Sequence, residues 1–141
     1  TEVIKFTKIL PNKDIQKRLN ISKDDEVFYI VRRRKVNDKT VIVLFNWVTS
    51  ERASGLEDED LEQQGLFTSL EKVMNQKIKY GSRKFTAELV DKKLAKLMDL
   101  PQKSPILKIE QITFREDNSP IETSDVFLDS SEYPIESTLF R

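Results

Sequence analysis

The chain contains no cysteine and no histidine. Their absence removes disulfides, thiolate and imidazole nucleophiles, zinc sites of the usual kind and the commonest general base. Any catalysis would fall to carboxylates, lysine, tyrosine or serine, and no cofactor is expected. There is no excess of either charge: 24 basic residues balance 24 acidic ones. A balanced, moderately apolar chain is expected to fold, and it lacks the long-range attraction to phosphate backbones of most nucleic-acid-binding domains. Direct contact between this segment and DNA is therefore not expected. No apolar run approaches the roughly 20 residues needed to cross a bilayer, and no signal peptide is visible, so the expected location is cytoplasmic. Repeats and low-complexity tracts are missing as well. The first residue is Thr1 rather than Met, from which an upstream module is expected.

At 141 residues the chain has the size of one domain, and residues 1–141 are read as such. "VIKFTKIL" alternates as a strand does, and "NKDIQKRLNI" carries Ile15, Leu19 and Ile21 at helical spacing. "EVFYIVRRRKV" and "TVIVLFNWV", separated by "NDK", read as a hairpin. The acidic stretch "GLEDEDLEQQG" reads as a loop with a helical turn. Its "EDED" core lacks the spacing of a calcium loop. "TSLEKVMNQK" follows as a helix, then a strand from about Ile78 to Val90 and a helix "DKKLAKLMDL". After Pro101 and Pro105, "ILKIEQITFRE" and "PIETSDVFL" form a second hairpin, and residues 133–141 are expected to add a last short strand. Strands joined mostly by hairpins, with helices inserted between them, point to an α+β domain built on a largely antiparallel sheet.

Three consecutive arginines, Arg32, Arg33 and Arg34, sit inside the first of these hairpins. A turn centred on Asp38 and Lys39 pairs residue 36 with 41, 34 with 43, 32 with 45 and 30 with 47. Period two then groups Arg32 and Arg34 with Val43, Phe45 and Trp47 on one face. A guanidinium among apolar groups needs a partner, since uncompensated loss of hydration costs several kcal/mol. Two of them at i and i+2, about 7 Å apart, suit the gripping of an anion with forked donors. The simpler alternatives are arginines that reach out to solvent or pair with internal acids such as Glu122. Trp47 and Phe45 read as core or cavity lining. Arg83 and Lys84, beside Gly81, read as a solvated strand end or as an addition to the positive lining.

In "FTSLEKV", Thr68 with Glu71 three residues on matches the capping box, which places Ser69 in the first turn of a helix. Helix starts present unpaired amides and the positive end of the dipole, so this one is a second candidate for holding phosphate or carboxylate.

"RRRKVNDKTVIVLFNWV", "GLEDEDLEQQGLFTSLEKVMNQK" and "ILKIEQITFREDNSPIETSDVFLDSSEY" together resemble the UTRA, or chorismate-lyase-like, effector-binding domain. That domain belongs to GntR-superfamily transcription regulators of the HutC subfamily. The resemblance spans nearly the whole chain and rests on the order and spacing of these segments. It implies a chorismate-lyase-like fold and a sensor of a small anionic metabolite such as a sugar phosphate. It further implies a homodimer, DNA contact only through an N-terminal winged-helix domain outside this chain, and a repressor in the full-length protein. The family's paired arginines fall on Arg32 and Arg34, its helix-start serine on Ser69 with Thr68 beside it, and its final-hairpin glutamate on Glu122. The chain departs from sugar-phosphate-binding members at Leu44, where they carry a glutamate, and at "DSSEY", which lacks the arginine of the family ending. Two other functions fit the same residues: a lyase acting on an aromatic carboxylate, as the fold's chorismate lyase does, and a dimerisation module whose arginines make only internal ion pairs.

Overall fold

The computed structural model describes residues 1–141. In chain order the elements are β1 (Glu2–Ile9), α1 (Lys13–Leu19), β2 (Val27–Val36), β3 (Lys39–Thr49), a 3-10 turn (Leu56–Asp58), α2 (Leu61–Gln64), α3 (Leu66–Met74), β4 (Ile78–Leu89), α4 (Lys92–Met98), β5 (Pro105–Arg115) and β6 (Pro120–Leu128). All six strands join one antiparallel sheet in the order β1-β2-β3-β6-β5-β4. The α+β class and the antiparallel sheet read from the sequence are both present.

The order of elements exposes a duplication that the sequence does not display. Strand, helix, strand, strand occurs once as β1-α1-β2-β3 and again as β4-α4-β5-β6. The two copies meet along a single seam, β3 against β6. Their helices are built alike. Asn12 starts α1 by accepting the Ile15 amide at 2.9 Å, and Asp91 starts α4 by accepting the Leu94 amide at 2.8 Å. At the other ends Asn20 and Asp99 adopt left-handed conformations, with φ of 53° and 55°. Short polar side chains tolerate that region better than branched ones, which is why they stop both helices.

The β2–β3 hairpin departs from the expected register. Its turn is the two-residue Asn37–Asp38, with φ of 52° and 63°, the geometry that matches strand twist in tight hairpins. Val36 therefore pairs with Lys39, and a bulge between Arg34 and Lys35 sets Arg34 opposite Ile42, Arg32 opposite Leu44 and Ile30 opposite Asn46. A shift of one residue moves every partner to the other face. Phe45 and Trp47 thus lie on the side of the sheet away from Arg32. There, Trp47 stacks on Tyr29 and Phe45 meets Phe127 edge to face.

Each face has its own core. On the first, Phe28, Ile30 and Val48 of the sheet bury against Leu56, Leu61, Leu66 and Leu70, with Ile121 beneath. Each such leucine contributes about 1.5–3 kcal/mol when fully withdrawn from water. On the second, Leu94, Ala95 and Met98 of α4 pack on Val43 and Ile106, and Ile15 and Leu19 of α1 pack on Val27. Arg18 locks α1 down. Its guanidinium reaches Asp14 at 2.9 Å, Asp125 at 2.8 Å and Glu110 at 3.3 Å. The expected final strand does not form: residues 133–141 make no strand pairing beyond β6. Pro134 removes a donor, and the Tyr133 amide turns back to the Asp129 carbonyl.

Candidate functional site

The three arginines divide between the faces. Arg33 pairs with Glu2, its register partner on β1, through Nε to Oε2 at 2.7 Å and Nη2 to Oε1 at 3.2 Å. Arg32 and Arg34 stand on the opposite face, and neither forms an ion pair. The only hydrogen bond of Arg32 runs from Nε to Asn46 Oδ1 at 3.1 Å. Arg34 is exposed and lies over the Tyr133 ring, 5.2 Å from its centroid. Dense charge is tolerated in this strand because one cation is neutralised at the sheet edge while the other two project from the far side.

Beside Arg32 the middle of the sheet is polar. Asn46, Ser124, Gln111 and Arg83 are register neighbours in one row across β3, β6, β5 and β4. Glu122 and Thr113 stand opposite each other one step along. Asn46 Nδ2 donates to Glu122 Oε1 at 2.8 Å, and Thr113 Oγ1 donates to Glu122 Oε2 at 2.8 Å. Gln111 Nε2 donates to Thr113 Oγ1 at 3.2 Å, and Arg83 Nε donates to Gln111 Oε1. Every donor in this chain points toward Glu122, from Arg32 on one side and from Arg83 on the other. Glu122 is fully buried. Loss of hydration raises its pKa, against the opposing effect of the Asn46, Thr113 and Ser124 hydrogen bonds and the Arg32 charge. Burial likewise lowers the Arg32 pKa, offset in part by the charge of Glu122. A buried carboxylate persists only when its lone pairs are occupied, and these donors occupy them.

The helix α3 lies on the same face, held through Leu66 and Leu70 against Phe28, Ile30 and Val48. Its start differs from the capping-box reading. The helix begins at Leu66, whose burial carries the first turn inward, and the preceding Gly65 takes a φ of 81° with no side chain capping. Thr68 is thus the third helical residue and caps nothing, while Glu71 Oε2 accepts the Ile78 amide at 2.8 Å. Thr68 is exposed and lines a hollow of about 490 Å³ with Glu71, Lys72 and Asn75, which includes none of the sheet arginines. Ser69, about 100° further round the helix, points inward instead. It is wholly buried, and its hydroxyl has no hydrogen-bond partner.

The structure thus brings Arg32, Arg34 and the helix carrying Ser69 to one face, turns Thr68 outward, and sets Glu122 below the surface where Asn46 and Thr113 already hold it. Asn46, Thr113, Gln111 and Ser124 are not singled out by the sequence patterns. The available signal was weak: polar residues at alternate positions within apolar strands, as in "FNW" and "IETS".

The chain is 25% identical over 124 residues to the HTH-type transcriptional regulator GmuR of Bacillus subtilis (strain 168), a match covering 88% of this chain and 52% of that protein. The chain therefore spans about half the length of that regulator. Its fold is that of the C-terminal domain of the histidine utilization repressor from Pseudomonas syringae pv. tomato str. DC3000, with a TM-score of 0.91, 18% identity, and coverage of 99% of this chain and 97% of that one. A GntR-family transcriptional regulator from Enterococcus faecalis V583 superposes with a TM-score of 0.87 at 16% identity, over 99% of each chain. The UTRA domain family profile matches residues 1–134, almost the full length, and the chain belongs to that family.

Proposed function

We propose that this chain is the small-molecule-sensing domain of a GntR-family transcriptional regulator, a repressor, and that its effector is an anion held by Arg32 and Arg34 on the sheet together with Ser69 from α3. The observation that carries this reading is the contrast among the arginines. Arg18, Arg33 and Arg115 all have carboxylate partners, whereas Arg32 and Arg34 have none, and the two stand on the sheet face that α3 covers, the helix whose Ser69 hydroxyl is buried without a partner. A forked donor held at Nε by Asn46 and otherwise unpaired is pre-organised for phosphate or carboxylate. The function is regulatory rather than enzymatic, in keeping with the regulators that the chain resembles.

Binding at this face acts by its difference in affinity between the DNA-competent and DNA-incompetent states of the full-length protein. DNA contact belongs to an N-terminal domain outside this chain. The regulator is a homodimer. The outer edge of β4 supports that assembly, since it is unpaired and carries exposed Tyr80, Phe85 and Leu89.

Calorimetry with inorganic phosphate and a panel of phosphorylated sugars and carboxylates tests the effector site. Arg32→Ala and Arg34→Ala are each expected to weaken the best anion by about tenfold or more, the value of one lost charged hydrogen bond. Unchanged affinity in both variants would show that the anion sits elsewhere.

A further inference from the structure

Arg83, at the far end of the polar row, makes the same kind of contact as Arg32, although it is exposed on the edge strand where Arg32 is half-buried. It donates Nε to a side-chain amide, here Gln111, and takes part in no ion pair. Its neighbour Lys84, on the other face of the same strand, approaches Glu110 at 3.8 Å. Arg32 leans one strand inward from β2 to Asn46 on β3, and Arg83 leans one strand inward from β4 to Gln111 on β5. Asn46 and Gln111 are both register partners of Ser124 on β6. The two amides therefore stand on strands separated only by β6, roughly 10 Å apart at about 4.8 Å per strand, and each guanidinium reaches its amide from the next strand outward. Each is held at Nε, which leaves its two terminal nitrogens without a hydrogen bond inside the chain.

From this arrangement we propose that Arg83 is a second anion-holding residue of the same face, and that the effector carries two acidic groups, one at each end. This deepens the reading above and rests on it. Glu122, buried between the two cations, orients both through the converging hydrogen bonds, so the face is built as a pair of forks about one carboxylate. An acid group accepting two hydrogen bonds from a guanidinium stands about 3 Å from its nitrogens. A ligand reaching both forks therefore has its acidic groups separated by several ångströms, as in a linear diacid or a phosphorylated sugar acid. A ligand with one acidic group uses Arg32 and leaves Arg83 unengaged.

The test is calorimetric titration of the chain with linear dicarboxylates from succinate to suberate, each against the monocarboxylate of equal length. At the best length the diacid is expected to bind at least tenfold more tightly than its monoacid. Arg83→Gln, which retains a donor for Gln111, and Arg83→Ala both bring the diacid down to the affinity of the monoacid, while Arg32→Ala weakens both ligands. If the diacid keeps its margin in the Arg83 variants, or if no diacid exceeds its monoacid, Arg83 is not a recognition residue and the proposal falls while the Arg32 site stands. If Arg32→Ala leaves the monoacid unaffected, or if none of the acids binds, the effector site itself is misplaced and the proposal falls with it.

Discussion

Arg32 and Glu122 are joined through one side chain and do not touch: Asn46 accepts the Arg32 Nε hydrogen at 3.1 Å and donates to Glu122 Oε1 at 2.8 Å. Asn46→Ala removes a partner from both charges, and the one on Glu122 is wholly buried. The variant is expected to lose about 1–3 kcal/mol, read by reversible urea unfolding. Little or no loss would mean that water replaces the amide.

Glu122 sets a pH dependence whose sign follows from its burial. Its pKa is raised above the ordinary value of 4.5, chiefly by loss of hydration. The folded state therefore binds this proton more readily than the unfolded chain does. The stability it contributes is fully present below 4.5 and is lost as pH rises through the raised folded value. Glu122→Gln cannot titrate, and it can still accept from Asn46 and donate to Thr113. Urea unfolding from pH 4.5 to neutrality is expected to show the variant gaining on the parent as pH rises. A constant difference between the two would place the proton uptake on another group.

The hairpin turn can be tested in isolation. Asn37 and Asp38 hold φ of 52° and 63°, and a branched residue in that region costs about 1–2 kcal/mol. Asn37→Val is expected to lower the melting temperature by several degrees, and Asn37→Gly to leave it nearly unchanged. Equal effects of the two substitutions would indicate a different turn in solution.

Arg18 bridges α1 to the sheet through Asp125 and Glu110. Arg18→Met keeps the aliphatic packing and leaves these carboxylates without their cation. Because both remain partly exposed, the expected loss is about 1–3 kcal/mol, below the value for a fully buried pair. Amide hydrogen exchange should show the loss concentrated in α1; protection that falls evenly over the sheet would argue against a local lock.

The open edge of β4 carries the assembly prediction. Phe85 is half exposed on a strand whose outer side is unpaired. Phe85→Lys places charge on that edge, which opposes strand-to-strand pairing. Sedimentation is expected to show the parent as a dimer and the variant shifted toward monomer. An unchanged dimer would place the interface on another surface.

The elements were legible in the sequence where one periodicity ran without interruption, as in β1, β4 and the two hairpins. Arg32 and Arg34 could be found because three cations within an apolar strand are anomalous at any register. Which residues face them could not, since that depends on a turn with two positive φ values and a bulge, neither of which alters the hydrophobic pattern. Thr68 was misread because a four-residue capping motif fitted locally, whereas the burial of Leu66 starts the helix earlier. The polar row was hidden for a longer-range reason. Asn46 meets Glu122 only because β3 pairs with β6, and no local spacing reports a contact between residues so far apart.

The seam between the two strand-helix-strand-strand units has a consequence for a severed chain. Strands β3 and β6 occupy corresponding places in the two units, and each is the bare margin of its unit until the other arrives. An unpaired margin is a template for another strand. A protein cut within the stretch between β3 and β4 would yield two pieces, each presenting an interior strand as its border. Mixed together, the pieces should reassemble; kept apart, each would seek a sister of its own kind along the line where its complement now sits.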